Sequence, residues 1–383
     1  MGLTLPEYQD LSDEQRSVMN LELDRNHVIR GAPGTGKSVL ALYRAQAAIR
    51  EDMNVMMIMF NNTLRSYTEQ AADQLSIPDT HVSTLHTWFT GFFRQRFGRA
   101  APTLPPQPGT SFREIDWAQC LDIALRTDVG ARDDGLHVII DEGQDFPREA
   151  YLFLRLAAAS VTVFADENQR IYGHNTTVRQ ICDAVGVDEP SVLTRNYRNT
   201  RPIAEVAAHF DAGMQGGVTQ LGGPPKKGGV PRLASAQADP SGIARIAQYV
   251  RNIQKRQPAW HIGVLLPEGR QQAAYYDALD EVGVDGLGIY SSKRGIMTGK
   301  AGIDFGEPGV RVLNHKSAKG LEFDLVLLPE LQTMQSPGEI NFVRTMYVLC
   351  SRARLGLVLA YRGQLPASLQ AALPVDLLRA QTL

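Results

Sequence analysis

The segment Gly31-Ala32-Pro33-Gly34-Thr35-Gly36-Lys37-Ser38 constrains this chain more than any other. It fits the template G-x-x-x-x-G-K-[ST], in which glycines permit a tight backbone path that turns several N–H groups toward phosphate oxygens. Such a loop works where a strand feeds it and a helix leaves it, because the helix N-terminus adds to anion binding. Both flanks are present: Val28-Ile29-Arg30 is a short apolar run, and residues 39–50 have helical spacing. Around that unit the first half places further apolar runs at 55–60, 138–140 and 161–164, with a helical pattern at 147–158. The second half repeats the theme with runs at 263–266, 309–313, 325–328 and 356–360. Strands alternating with helices predict α/β architecture with parallel sheets, here two in tandem.

A chain of 383 residues is long enough for two such domains, each with its own core. Its 43% apolar and 21% charged content is that of a globular protein in water. The formal net charge of −2 announces no bulk attraction to nucleic acid, although a local basic groove depends only on how charge is distributed. Three scattered cysteines, Cys120, Cys182 and Cys350, suit neither a disulfide framework nor a zinc site and read as core thiols. There is no apolar signal core at the N-terminus and no run of about 20 apolar residues, so the expectation is a cytoplasmic protein with no membrane partner. Three stretches break the pattern: proline-rich 100–110 inside a small insertion, glycine-rich 213–230 with Lys226-Lys227, and glycine-rich 295–309 leading into a strand.

The second constraint is Val138-Ile139-Ile140-Asp141-Glu142-Gly143-Gln144-Asp145. Three apolar β-formers deliver two adjacent carboxylates to the end of a buried strand. The first suits Mg²⁺, together with the Ser38 hydroxyl, and the second suits general-base work on a water. Lys37 supplies a positive charge for the β- and γ-phosphates. The expected cofactors are ATP and Mg²⁺, and the expected chemistry is hydrolysis.

With these two segments in place, the order of motifs resembles the superfamily 1 helicases of the UvrD/Rep/PcrA type. Leu11-Ser12-Asp13-Glu14-Gln15 is similar to the opening glutamine motif, Gly31 to Ser38 to motif I, Met57 to Thr63 to motif Ia, and Val82 to Thr87 to motif Ib. Asp141 to Asp145 matches motif II, with glycine where alanine is usual. Phe164 to Tyr172 resembles motif III, Leu193 to Thr200 motif IV, His315 to Asp324 motif V, and Met346 to Arg354 motif VI.

The resemblance implies two RecA-like domains, 1–195 with a small insertion at about 92–137 and 196–383, with the nucleotide in the cleft between them. It implies an ATP-hydrolysing, strand-stimulated motor acting on single-stranded nucleic acid, DNA before RNA. Gln15 and Tyr197 would hold adenine; Gly31, Gly34, Thr35, Gly36, Lys37 and Ser38 the phosphates; Gly320 and Glu322 the ribose side. Arg198 and Arg352 would neutralise transition-state charge at the γ-phosphate, and Gln169 would sense it. Backbone contacts to the strand would come from Asn61, Thr63, His86, His315 and Lys316. The aromatics Trp88, Phe89, Phe92 and Phe93, interleaved with Arg94, Arg96 and Arg99, offer either stacking faces or the buried face of a helix.

Two departures stand out. His174 replaces the tryptophan that usually follows motif III, and the large second-domain insertion of longer relatives has little room here. The histidine would stack on a strand base less strongly, and the missing insertion points to a stripped motor core. An alternative reading is an ATP-switched interaction module working with a partner nuclease or effector, for instance in defence against foreign DNA. A small-molecule kinase would leave Glu142, Gln169, Arg198 and Arg352 without a role.

Overall fold

The computed structural model describes residues 5–59, 71–106, 113–127, 135–166, 176–211, 228–290, 307–334 and 340–383. The chain divides into two compact units, Leu3–Thr194 and Arg195–Leu383.

The N-terminal unit runs α1 (Asp13–Met19), β1 (His27–Gly31), α2 (Lys37–Arg50), β2 (Asn54–Met59), β3 (Val82–Thr84), α3 (Leu85–Phe97), α4 (Trp117–Arg126), β4 (Leu136–Ile140), α5 (Arg148–Ala157), β5 (Ser160–Ala165), α6 (Val178–Val185) and β6 (Ser191–Leu193). Its six strands lie in the order β3-β2-β4-β5-β1-β6, and every ladder is parallel. The central strands β4 and β5 are buried along their whole length. That is why they read in sequence as continuous apolar runs: a parallel sheet covered by helices on both faces leaves no polar side. One strand, β5, separates β1 from β4. All strands point the same way, so the segments after β1 and β4 emerge at one edge, where open α/β sheets bind ligands.

Helix α3 shows which reading of the aromatics is right. Phe89 and Phe93 are fully buried in a cluster with Ile115, Cys120, Ala124, Phe153 and Ala157. Phe89 lies edge-on to Phe153 with centroids 4.9 Å apart and 4.3 Å from the ring of Trp117. These two phenylalanines anchor α3 and α4 rather than offering faces to a base. The expected insertion at 92–137 overlaps the end of α3, which Gly98 terminates in the left-handed region, and the start of β4.

The C-terminal unit runs α7 (Arg201–Asp211), β7 (Arg232–Ala236), α8 (Pro240–Arg256), β8 (His261–Leu266), α9 (Gln272–Glu281), β9 (Leu287–Tyr290), β10 (Gly309–Asn314), β11 (Phe323–Leu328), α10 (Ile340–Cys350), β12 (Ala353–Arg362), α11 (Ala367–Ala372) and β13 (Arg379–Thr382). Its seven strands are ordered β13-β7-β12-β11-β8-β10-β9 and are again all parallel. Val264, Val312, Leu327 and Val358 from four neighbouring strands meet Ile246, Tyr275 and Leu279 from the helices in one core. Each unit is therefore a RecA-like parallel α/β domain. No helix among the described residues is long and apolar enough to cross a membrane.

Candidate nucleotide-binding site

The loop after β1 is shaped by its glycines. Gly34 and Gly36 have φ of +81° and +89°, in the left-handed region that side chains with a Cβ rarely enter. Gly36 is constrained twice over, because a Cβ there would lie 2.6 Å from the Gln15 amide nitrogen. That amide donates to the Thr35 carbonyl at 3.1 Å, and its oxygen accepts the Ser12 N–H at 3.0 Å. The Gln15 N–H donates in turn to the Ser12 hydroxyl, so the pair is also the capping box of α1. Gln15 thus sits directly on the loop after β1.

Lys37 opens α2 and is 6% exposed. Its Nζ donates to the carbonyls of Gly31 and Ala32, at 2.7 and 3.1 Å, and stands 3.9 Å from Asp166 at the end of β5. A desolvated ammonium at a helix N-terminus is a strong attractor for phosphate oxygens. Next to it, the Ser38 hydroxyl donates to Asp141 Oδ2 at 2.6 Å.

The acidic turn follows β4. Asp141 is fully buried, and its other oxygen accepts the Glu142 N–H at 2.9 Å. Burial and the adjacent Glu142 charge push its carboxyl up to about 6, against the opposing pull of Ser38, Lys37 and the Glu142 N–H. Glu142 has φ +55° and ψ +42°, a left-handed conformation for a residue with a side chain. Its carboxylate accepts from the Gln144 amide at 2.5 Å, and the Gln144 oxygen in turn accepts the Asp166 N–H at 2.9 Å. Gln144 therefore locks the glutamate to β5. Sequence reasoning gave Gln144 and Asp166 no role; the E-x-Q spacing was the available signal for the first. Gly143 also becomes intelligible. The Tyr151 hydroxyl donates to its carbonyl, and a Cβ would collide with the Val163 methyl and lie 2.8 Å from that hydroxyl. Alanine, the usual residue in the resembled family, does not fit here.

The C-terminal unit builds the same local turn once more. Glu330, after β11, has φ +65°, opens a short 3₁₀ turn and accepts from Gln332 two residues on, at 2.6 Å. Here, however, Pro329 stands where Asp141 stands, and Glu330 is bound by Tyr275 at 2.6 Å and Arg362 at 2.5 Å. With no carboxylate before it and three side-chain donors on it, Glu330 holds structure.

Other candidates gather in the C-terminal unit. Arg198 pairs with Glu322 and reaches the Ser351 carbonyl at 3.5 Å. The Glu322 carboxyl is affected first by burial, which raises it, yet Arg198, Arg354 and Arg352 outweigh this and hold it below the usual carboxylate range. Asn199 donates to the carbonyls of Ser351 and Ala353, at 3.1 and 2.5 Å. Arg352 is 1% exposed and its Nε donates to Val348 at 3.1 Å. The segments containing Arg198, Glu322 and Arg352 are thereby stitched together. Gly320, at φ +83°, makes the turn before Glu322. Tyr197 is half-buried, and its hydroxyl has no hydrogen-bond partner among the described residues.

Of the strand-binding candidates, His86 and Trp88 lie in the first turn of α3, capped by Thr84, at the ligand edge of the N-terminal sheet. Trp88 is half-buried and stacks on Phe92 with centroids 5.0 Å apart. His315 and Lys316 share the 3₁₀ turn after β10; burial lowers the His315 imidazole, with Lys316 adding to the effect. Asn61, Thr63, Gln169 and His174 lie outside the described residues. No group of three or more His, Cys, Asp or Glu that could hold a metal ion occurs among the described residues. A Mg²⁺ ion bound with a nucleotide needs no such cluster, and Ser38 with Asp141 is the hard-oxygen donor set that fits it.

Comparison with known proteins bears on the same edge of the sheet. A family model described as an AAA domain matches residues 15–175, which takes in Gln15, the phosphate loop and the acidic turn. No curated protein matches the chain. Among solved structures, the C-terminal domain of a possible DNA helicase from Lactobacillus plantarum WCFS1 is similar at 18% identity and a TM-score of 0.36, over 48% of this chain and 97% of that one. The family match is confined to the N-terminal unit, and over residues 15–175 it makes that unit similar to AAA-type nucleotide-binding domains.

Proposed function

We propose that the protein is an ATPase of the superfamily 1 helicase kind, whose turnover is coupled to binding single-stranded nucleic acid, with DNA the first candidate. One observation carries the reading: the Ser38 hydroxyl meets Asp141 at 2.6 Å while Glu142 beside it is fixed by Gln144. A phosphate loop alone serves many chemistries. A second carboxylate, buried, strained and oriented by its own amide donor, serves hydrolysis.

In this reading the loop N–H groups and Lys37 bind the β- and γ-phosphates. Ser38 and Asp141 hold Mg²⁺, which supplies charge neutralisation at the phosphate oxygens when bound. Glu142 accepts a proton from the attacking water and orients it, and Gln144 keeps its carboxylate from rotating away. Gln15 exchanges its hydrogen bond to Thr35 for one to the base. Tyr197, Gly320, Glu322, Arg198 and Arg352 take their nucleotide roles from the family resemblance. His86, Trp88, His315 and Lys316 are the strand-contact candidates among described residues.

The test is phosphate release from ATP with Mg²⁺ in the presence of single-stranded DNA, single-stranded RNA or duplex, at several salt concentrations. Stimulation by a single strand that declines steeply with salt, as phosphate contacts require, supports the reading. Turnover indifferent to all three overturns the motor assignment.

A further inference from the structure

The N-terminal unit contains a chain of direct contacts from the phosphate loop to the point where the polypeptide leaves it. Gln15, on α1, donates to the Thr35 carbonyl and lies against Gly36. Each carboxylate oxygen of its neighbour Glu14 accepts a hydrogen bond from one residue 180 positions away. The Thr194 N–H donates to Oε2 at 2.9 Å and the Thr194 hydroxyl to Oε1 at 2.5 Å. Thr194 directly follows β6 and is the last residue of this unit. The strand β6 is only three residues long, pairs with β1 as far as Gly31↔Leu193, and so ends beside the start of the phosphate loop.

We propose that Glu14 is a positioning residue that couples occupancy of the phosphate loop to the chain segment leaving the unit at Thr194. The proposal rests on reading the loop and Gln15 as the nucleotide site. A base that takes over the Gln15 amide removes its bond to Thr35, and a rigid movement of the short helix α1 carries Glu14 with it. Two hydrogen bonds to a carboxylate are the strong kind, and together they fix both the backbone and the side chain of Thr194. Thr194 therefore follows α1. By reciprocity, anything that displaces Thr194 alters nucleotide affinity by the same factor. A merely structural role, satisfying the Thr194 N–H after a short edge strand, predicts protection of that amide but no dependence on nucleotide.

Hydrogen exchange on the full-length protein, with and without Mg²⁺ and a non-hydrolysable ATP analogue, separates the two. In the wild type the Thr194 amide is expected to change exchange rate about tenfold on analogue binding, within the usual range of coupling. In Glu14→Ala that dependence is lost, analogue affinity, measured by calorimetry, shifts by no more than about tenfold, and strand-stimulated kcat falls more than KM rises. Thr194→Val keeps the backbone bond and gives a partial loss; the double variant is no worse than Glu14→Ala. Nucleotide-dependent exchange of wild-type size in Glu14→Ala overturns the coupling, as do losses that multiply in the double variant. A wild type that binds no analogue overturns the nucleotide reading itself, and the coupling with it.

Discussion

Replacing Asp141 with asparagine should make the metal-free protein more stable while abolishing its activity. The carboxyl is fully buried, beside Glu142, and its pKa is raised from 3.8 to about 6. A tenfold change in a proton's affinity corresponds to about 1.4 kcal/mol, so ionising this group in the folded state costs up to about 3 kcal/mol relative to the unfolded chain. The sign follows from linkage. A folded-state pKa above the unfolded one contributes stability that is complete below about pH 4 and lost as pH rises through about 6. Asparagine keeps an acceptor for the Glu142 N–H but weakens the bond from Ser38, which returns about 1 kcal/mol of the gain. The net expectation at about pH 8 in chelator is about 2 kcal/mol, or a Tm higher by about 5 °C. The difference should shrink as pH falls through about 6 and, below about 4, reverse to the roughly 1 kcal/mol lost with the Ser38 bond. Magnesium with ATP should then stabilise the wild type and not the variant. An Asp141→Asn protein that melts lower than wild type at about pH 8, or whose difference does not change with pH, would refute the electrostatic account of this turn.

Two further substitutions probe packing. Gly143→Ala should destabilise by about 2 kcal/mol, because its methyl enters space held by Val163 and the Tyr151 hydroxyl; thermal denaturation reads it, and an unchanged Tm contradicts the packing. Glu330→Gln should cost about 2–3 kcal/mol by leaving Arg362 and Tyr275 without the carboxylate they share. Since Glu330 has no catalytic role in this account, its kcat at a temperature where both proteins are folded should match wild type. A selective loss of turnover there would show that the second turn is functional.

How much of this was legible in the sequence follows from where each signal lies. The phosphate loop, the acidic pair and the strands β1, β2, β4, β5, β8, β10, β11 and β12 were readable because their determinants are contiguous: glycine spacing in one case, unbroken apolar runs in the other. The strands β3, β6, β7, β9 and β13 were not. Four of them are sheet edges, and sequences such as Arg-Ala-Gln-Thr at Arg379–Thr382 carry no apolar run because most of the strand is exposed. In α3 the spacing of Phe89 and Phe93 was compatible with two environments, and only the partners Trp117 and Phe153 decide for the core. The site was half-visible for the same reason. Lys37, Ser38, Asp141 and Glu142 belong to local patterns, whereas Gln144 acts through Asp166, 22 residues on, and Glu14 through Thr194. Contacts of that range exist only once the sheet has ordered its strands.

The central claim is that Glu142 is the base of a hydrolytic site, and Glu142→Gln tests it most directly. Phosphate release with Mg²⁺, ATP and single-stranded DNA should fall by about 10²- to 10⁴-fold in the variant, the usual contribution of a general base. Binding of ATP by the same protein should remain within a few-fold of wild type, since Gln144 and the phosphate loop are untouched. Equal turnover in the two proteins would contradict the assignment of Glu142.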